Sequence, residues 1–317
     1  MAPLAQRLGL LAALAALGVG AAARAEQGVL ADLPFLDQVP GWGSIGDGHI
    51  GIDLSPNPER PFPMLLDTGA AFSAMTPRYA RKLHVTVRRL KSDPYRRKTV
   101  LGRDLQFVVM TGSSDTGSRT GVIAGLVGGN FLEEYVIEVD YAGRRVRFLD
   151  PDVYRVSQAS AEPGEIVVPM RLTDRRPMIE IRLGSGSAWF LMDTGAPTDL
   201  NVSEERARTL AIQVSPDAQT VRGLNLYGTD RSALVALERA RVGDFDLQDV
   251  SLEVALRKGS SYRITNVAGP DQALLGNAFL RRFRVRFDYP HRRVGLLPRA
   301  AAPAEPEPAS PGERKAE

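Results

Sequence analysis

The stretch PMLLDTGAAFSA (residues 63–74) ends an apolar run in an Asp-Thr-Gly turn that begins at Asp67. The stretch AWFLMDTGAPTD (residues 188–199) does the same at Asp193, 126 positions later. A carboxylate at the end of one buried strand is costly when it has no partner. Two carboxylates that meet across a pseudo-two-fold axis can share one proton, which removes much of that cost. The repeated turn therefore predicts one paired site.

A second pair of matching stretches lies further along the chain. AGLVGGNFLEEYVIEVDYAGRRVRFL (residues 124–149) and QALLGNAFLRRFRVRFDYPHRRVGLL (residues 272–297) align without a gap at an offset of 148, with ten of 26 positions identical. The second copy has 22 more residues between its matching stretches than the first copy has. This self-similarity predicts an internal duplication. We expect a first lobe at 49–152, a linker at 153–164 and a second lobe at 165–298.

Each copy is composed mainly of short segments typical of strands. HIGIDL and FPMLLD in the first copy, and PMIEIRL and AWFLMD in the second, are separated by turn-forming residues. A short helix is expected after each Asp-Thr-Gly turn, where Thr76 caps PRYARKL and Ser203 caps EERARTL. The sequence therefore predicts an all-β protein with minor helix, built as two pseudo-symmetric lobes.

The two ends of the chain differ from its body. Residues 1–25 have an early arginine, an apolar run and a final Ala-Arg-Ala, a pattern typical of a cleavable secretory signal peptide. A retained membrane anchor is the alternative, but the apolar run is short for a spanning helix. We expect a periplasmic or secreted protein with no membrane span after cleavage. Residues 26–48 are expected to form an N-terminal arm, and the Pro/Ala/Glu-rich residues 299–317 a disordered tail.

Composition excludes several other classes. The chain has 40 Lys and Arg against 37 Asp and Glu, and removal of residues 1–25 would leave the two nearly equal. These charges are scattered, so we expect no nucleic-acid partner. The chain has no cysteine, so it has no disulfide framework. The three histidines are isolated from one another in sequence, so no metal site is expected.

The composition of the repeated turn suits acid–base chemistry. Gly69 and Gly195 permit a tight turn, and the hydroxyls of Thr68 and Thr194 can form hydrogen bonds across to the partner turn. When two carboxyls share a proton, one can act as a base on a bound water while the other polarises a carbonyl. The residues therefore predict hydrolysis without a metal, a cofactor or a covalent intermediate.

These motifs resemble those of a known family. LLDTGA with a later GLVGGNFL, and FLMDTGA with a later ALLGNAFL, are similar to the paired motifs of retropepsin-like and pepsin-like aspartic proteases. The resemblance covers residues 49–298 and implies a bacterial-type single chain with two retropepsin-sized acid-protease lobes. It implies an aspartic endopeptidase, monomeric, that binds an extended polypeptide as an added strand.

The family's site residues carry over to matching positions of this sequence. The resemblance makes Asp67 and Asp193 the catalytic pair. The supporting residues of the two turns would be Thr68, Gly69, Thr194 and Gly195, and the residues packing behind the turns Gly128 and Gly276. Viral members commonly carry acids just after the turn, whereas this chain has Ala71 and Phe72, and Pro197 and Thr198. Substrate contacts therefore do not transfer.

Several alternatives stay open at this point. Tyr227 is a candidate for a flap over the cleft, although it is also explained as an ordinary strand residue, and residues 92–100 are a weaker candidate. A third Asp-Thr-Gly at Asp115 lies among polar turn formers and predicts a surface turn. Asp140 and Asp288 lie at matched positions of the two copies, as catalytic residues would. Roles in turns or in ion pairs with the following arginines explain this repetition as well. A peptide-binding module without catalysis, or a dyad built across two subunits, would also fit the motifs.

Overall fold

The computed structural model describes residues 28–39, 43–44, 48–84, 95–109, 124–225, 228–237, 239–248, 250–256 and 273–299. In the first half, which we define as the described residues up to 152, the elements are β1 (Val29–Pro34), β2 (Gln38–Val39), β3 (Gly43–Ser44), β4 (Gly51–Asp53), β5 (Pro63–Leu66), β6 (Ala74–Met75), α1 (Pro77–Lys82), β7 (Tyr95–Lys98), β8 (Asp104–Val109), β9 (Gly125–Val127), α2 (Gly129–Leu132), β10 (Val136–Asp140) and β11 (Arg145–Leu149).

The second half, which we define as the described residues from 165 onward, follows a short 3-10 turn at Gln158–Ser160. Its elements are β12 (Ile166–Pro169), β13 (Arg171–Thr173), β14 (Arg176–Leu183), β15 (Gly186–Met192), β16 (Leu200–Ser203), α3 (Glu204–Thr209), β17 (Thr220–Asn225), β18 (Gly228–Ala236), β19 (Ala240–Val242), β20 (Phe245–Leu247), β21 (Ser251–Ala255), β22 (Ala273–Leu275), α4 (Asn277–Leu280), β23 (Phe283–Asp288) and β24 (Arg293–Pro298). The predicted class, all-β with minor helix, is confirmed.

Each half contributes a sheet with the same strand order. The first-half sheet runs β4-β5-β9-β6-β8-β7, and the second-half sheet contains the run β14-β15-β22-β16-β21-β18. Parallel and antiparallel pairings occur at the same places in both runs. Among the described residues, the second-half sheet adds β13, β17, β19 and β20. The two halves therefore have matching architecture, while their origin by duplication stays a prediction.

A third sheet joins the two halves. Its order is β1-β11-β10-β23-β24-β12, and we call it the shared sheet. Its central contact is the antiparallel pair of β10 with β23, where Val139 lies opposite Val285. The connecting segment lies against this sheet, because the Val156 amide donates to Asp288 Oδ2 at 2.9 Å. Strands from both halves thus share one continuous set of backbone hydrogen bonds.

The short helices begin where the sequence signals them. The Thr76 hydroxyl accepts from the Tyr79 amide at the start of α1, and the Ser203 hydroxyl accepts from the Arg206 amide at the start of α3. These side chains satisfy amides that a helix leaves without an internal partner. The two predicted caps are confirmed. Within the described ranges, no helix has the length and apolar content needed to cross a bilayer.

The hydrophobic core extends through both halves. One large cluster of buried side chains includes Ile52 and Met64 of the first-half sheet, Phe190 and Val202 of the second-half sheet, and Phe287 of the shared sheet. Burial on both faces explains why β5 and β15 are nearly continuous apolar runs in the sequence. Since both runs enter this core, the residues that follow them are held in fixed positions.

Candidate active site

The two Asp-Thr-Gly turns occupy matching positions at the ends of β5 and β15. Each of these strands pairs in parallel with the strand that carries the downstream motif, β9 in the first half and β22 in the second. The pairing continues by one bond into each turn: the Asp67 amide donates to the Val127 carbonyl at 3.1 Å, and the Asp193 amide to the Leu275 carbonyl at 2.9 Å. Both aspartates therefore start from a backbone position fixed by the sheet.

Four reciprocal hydrogen bonds connect the two turns. The Thr68 hydroxyl donates to the Met192 carbonyl at 2.7 Å and accepts from the Thr194 amide at 3.1 Å. The Thr194 hydroxyl donates to the Leu66 carbonyl at 2.6 Å and accepts from the Thr68 amide at 3.1 Å. Both threonines are fully buried. Because buried amides and carbonyls need partners, each turn depends on the other for its folded geometry.

The carboxyls of Asp67 and Asp193 lie close enough together that each alters the ionisation of the other. Asp193 is buried, whereas Asp67 is partly exposed. Each carboxyl lies against the glycine of the opposite turn. A Cβ added to Gly69 would be 2.5 Å from Asp193 Oδ2, and one added to Gly195 would be 2.8 Å from Asp67 Cγ. Glycine is therefore required at these positions for space.

The two carboxyls hold protons more strongly than isolated aspartates do. Burial raises the pKa of Asp67 well above its ordinary value, and the neighbouring charge of Asp193 raises it further. Burial also raises the pKa of Asp193, but the Gly195 amide, the hydrogen bond with Asp67 and the charge of Arg176 oppose that rise. The pair can thus carry one proton, which supplies an acid and a base at the same place.

The glycines of the downstream motif allow close backbone packing behind the turns. A Cβ on Gly128 would be 2.7 Å from the Ala70 carbonyl oxygen, and one on Gly276 would be 2.6 Å from that of Ala196. The residues that follow donate to the same carbonyls: the Gly129 amide to Ala70 at 2.8 Å and the Asn277 amide to Ala196 at 2.7 Å. Any larger side chain at Gly128 or Gly276 would push the motif away from its turn.

Residues that the sequence analysis missed surround Asp193. Asn277 is fully buried, and its side-chain amide donates to the Thr194 carbonyl at 2.6 Å. The Tyr141 hydroxyl donates to Asn277 Oδ1 at 2.6 Å. Arg176 is nearly buried and acts electrostatically on Asp193. A signal existed for Asn277, because the repeat offset aligns it with Gly129, which has no side chain, in the first copy.

The positions just after the first turn differ from an acid-lined site. Phe72 is 47% exposed and lines an open cavity of about 740 Å³ together with Val108, which is 45% exposed. The Arg175 guanidinium lies 4.9 Å from the Phe72 ring centroid, and Arg175 Nε donates to Glu133 at 2.9 Å. The same cavity is also lined by charged side chains and by neither Asp67 nor Asp193; the charged residues are Lys98, Arg103, Asp104, Glu133, Glu134 and Arg175.

Ser73, which follows the first turn, and the remaining candidates of the sequence analysis have structural contacts away from the carboxyl pair or lie outside the described residues. Ser73 is buried and donates to Asn130 Oδ1 at 2.8 Å while accepting from the Gly128 amide at 2.9 Å. Asp140 Oδ1 accepts from two turn amides, and Asp288 accepts from the Val156 amide and from His291. Tyr227 and the third Asp-Thr-Gly at Asp115 lie outside the described residues. The described part of the chain contains no group of three or more His, Asp or Glu side chains placed to hold a metal ion.

The comparisons with known proteins address the second half of the chain. Residues 179–279 match the family model for aspartyl proteases. The matched segment is about a third of the chain and contains both Asp193 and Gly276. The predicted resemblance to aspartic proteases is confirmed for this segment. A search of curated proteins finds no match.

Two solved structures are similar to parts of this chain. A retropepsin-like aspartic protease from Rickettsia conorii is 23% identical, with 42% of this chain and 89% of that chain covered and a TM-score of 0.31. Basic 7S globulin from soybean is 12% identical, with 84% of this chain and 94% of that chain covered and a TM-score of 0.42. The aspartyl protease assignment therefore rests on the family match and not on these likenesses.

The reciprocal threonine bonds predict a specific loss of stability. Thr68→Val removes the hydroxyl and leaves the Met192 carbonyl and the Thr194 amide without that partner. We expect the free energy of unfolding to fall by about 2–4 kcal/mol, since each buried group left unpaired costs about 1–3 kcal/mol. Urea unfolding measures the change. Thr68→Ser is the matched control, because it keeps the hydroxyl and should stay within about 1 kcal/mol of the unchanged protein; equal losses in both variants would contradict the role of the hydroxyl.

The raised pKa of Asp67 predicts a pH-dependent gain in stability for Asp67→Asn. The folded state holds this carboxyl protonated to a higher pH than the unfolded state does. Stability is therefore lost as the pH rises from the unfolded pKa towards the folded pKa, and an amide avoids that loss. At pH 7 the variant should melt a few degrees higher, since about 1 kcal/mol shifts Tm by about 2–4 °C.

At pH 3, where the carboxyl is protonated in both states, the difference should disappear. Calorimetry at the two pH values measures it, with Asp140→Asn as the control for an aspartate in an exposed turn. A difference that is the same at both pH values would show that ionisation of Asp67 is not its cause.

Proposed function

We propose that this protein is an aspartic endopeptidase that hydrolyses peptide bonds with a water activated between Asp67 and Asp193. The observation that supports the proposal most directly is the close approach of the two carboxyls, each against the glycine of the opposite turn, at the ends of matching strands. The aspartyl protease match over residues 179–279 supports the same reaction class. A structural role alone would not require two acids that oppose each other's ionisation.

The reaction would follow from one shared proton. The ionised carboxyl takes a proton from the water as the water oxygen attacks the peptide carbonyl carbon. The protonated carboxyl gives its proton to the carbonyl oxygen. The resulting tetrahedral diol collapses when one of its hydroxyls gives a proton to the carboxyl that is now ionised, while the carboxyl that took a proton from the water gives it to the amide nitrogen. The C–N bond then breaks to give a carboxylic acid and an amine. The carboxyls end with one proton between them, as they began.

The proposed substrate is an extended polypeptide. Asp67 is partly exposed, and Phe72 lies five positions after it with nearly half of its surface accessible. An apolar surface beside the reacting groups can hold an uncharged substrate side chain while the peptide backbone lies near the carboxyls. Viral retropepsins commonly have acids just after the turn, where this chain has Ala71, Pro197 and Thr198. Other groups would therefore hold the substrate backbone in this protein.

Activity should be lost when either carboxyl is replaced. Residues 26–317 are incubated with denatured, fluorescein-labelled casein from pH 3 to pH 8. We expect Asp67→Asn and Asp193→Asn each to reduce kcat/KM by about 10²–10⁴-fold, because each removes a proton-transferring group. Activity should fall at low pH, where both carboxyls are protonated, and at high pH, where both are ionised.

The control is Asp140→Asn, since Asp140 belongs to a turn of the shared sheet and should leave the rate unchanged. Full cleavage by Asp67→Asn would refute the mechanism. Casein binding without cleavage by the unchanged protein would instead favour a peptide-binding module on the same fold.

Export, chain organisation and assembly are also part of the proposal, and they rest on the sequence. Residues 1–25 would be removed as a signal peptide, and the protein would act in the periplasm or outside the cell as a bacterial-type monomer with two lobes and a disordered tail. Mass spectrometry of the exported protein should find an N-terminus at Glu26. An intact Met1 on membrane-bound protein would show that the segment is a retained anchor.

A further inference from the structure

Asn277 lies at the centre of a buried hydrogen-bond network. Its Nδ2 donates to the Gly48 carbonyl and to the Thr194 carbonyl, both at 2.6 Å, and its Oδ1 accepts from the Tyr141 hydroxyl at 2.6 Å. The Asn277 side chain can form all three bonds in one orientation, with its NH2 group towards the two carbonyl oxygens and its oxygen towards the hydroxyl. Tyr141, from the first half, thus fixes the direction in which Asn277 acts on the second half.

The network continues to the Asp193 carboxyl through one peptide group. The Thr194 carbonyl and the Gly195 amide belong to the same peptide unit, and the Gly195 amide donates to Asp193 Oδ1 at 2.8 Å. A donor on the carbonyl holds that peptide plane and polarises it, so its N–H becomes a stronger donor. A strong donor favours the ionised form of the carboxyl that accepts from it. The hydrogen bonds from Tyr141 to Asn277, from Asn277 to Thr194 and from Gly195 to Asp193 therefore all favour the ionised form of Asp193.

The other carboxyl has no matching network among the described residues. The offset of 148 aligns Asn277 with Gly129 and Tyr141 with Tyr289. Gly129 has no side chain, and the space that one would occupy is filled by Arg175, whose Cβ and carbonyl oxygen would lie 2.6 Å from an added Cβ. The Tyr289 hydroxyl is buried, and within the described part of the chain it has no hydrogen-bond partner.

The charged and titratable groups around Asp193 differ from those around Asp67. Asp193 lies within the electrostatic reach of the nearly buried Arg176, whose counterpart in the first half, by the register of the matching strands, is His49. Asp67 faces Asp193 and the neutral phenol of Tyr289, and the backbone amides of Ala70 and Gly69 favour its ionised form. Tyr289 also lies within the electrostatic reach of Glu133, whose charge is paired with Arg175. The charge of Arg176 and the network through Asn277 thus act on Asp193, whereas the described groups that favour ionised Asp67 are the amides of its own turn.

We infer that Asn277 is a positioning residue that keeps Asp193 as the proton acceptor of the pair and leaves Asp67 as the proton donor. The inference deepens the proposed function and rests on it for its catalytic meaning. In the hydrolysis, Asp193 would take the proton from water, and Asp67 would give its proton to the carbonyl oxygen. The two halves then have matching folds, but one provides the proton acceptor and the other the proton donor.

The first test measures protonation directly and needs no turnover. The protein is labelled with ¹³C at aspartate carboxyls, and the signals of Asp67 and Asp193 are assigned with the Asp→Asn variants and followed by NMR from pH 2 to pH 8. We expect the lower step of the pair's titration to be reported mainly by Asp193. In Tyr141→Phe and Asn277→Leu that step should move to higher pH, by up to about one unit for Asn277→Leu, because the ionised form loses donor strength.

Tyr289→Phe is the matched control, because it removes the equivalent hydroxyl where no hydrogen bond is made. It should leave the lower step unchanged. The inference is overturned if Tyr289→Phe shifts the lower step as much as Tyr141→Phe does, or if Tyr141→Phe does not shift it. It is also overturned if Asp67 reports the lower step. If Asn277→Leu does not fold, Tyr141→Phe still decides the question.

The second test is the pH profile for cleavage of the labelled casein. In Tyr141→Phe the acid limb of kcat should move upward by the same amount as the NMR step, with KM unchanged, whereas a general loss of structure would lower the rate at every pH. If the unchanged protein does not cleave casein, the proposed function fails while the NMR result still stands. If it cleaves and the acid limb does not move, the inference fails while the proposed function stands.

Discussion

The carboxyl groups of Asp67 and Asp193 lie close together at the ends of two buried strands, each against the glycine of the opposite turn, a placement that two ionised groups would not tolerate. The proton between them and the four bonds made by Thr68 and Thr194 make that placement stable. Those bonds cross from one half to the other, so neither turn is complete alone. The shared sheet and the common core bring the halves together, and the buried pair is the place where they must fit most closely.

Space limits this site as strictly as charge does. Each carboxyl occupies the volume that a side chain on the opposite glycine would need, at Gly69 and at Gly195. Behind the turns, Gly128 and Gly276 let the downstream motif approach within hydrogen-bonding distance of the turn backbone. Four glycines therefore serve one purpose, which is to let strands and acids come closer than side chains would permit.

Much of this arrangement could be predicted from the sequence because it is encoded locally and twice. The apolar runs before Asp67 and Asp193, the glycines and the caps at Thr76 and Ser203 each have a short-range pattern with a physical meaning. The roles of Asn277 and Tyr141 could not be predicted, since their contact joins residues 136 positions apart and a buried amide has no distinctive pattern. Repetition drew attention to what the copies share, whereas Asn277 is informative because the first copy has Gly129 at the matching position.

The joining of both halves in one polypeptide has a consequence for how such a site can change. In a homodimer with two-fold symmetry every substitution occurs on both sides, so the two acids must stay equivalent on average. Here Asn277 and Gly129 occupy matching positions of the two halves, so one side can be altered while the other is kept. Covalent linkage thus permits broken symmetry, and selection can adjust the proton affinity of each acid separately.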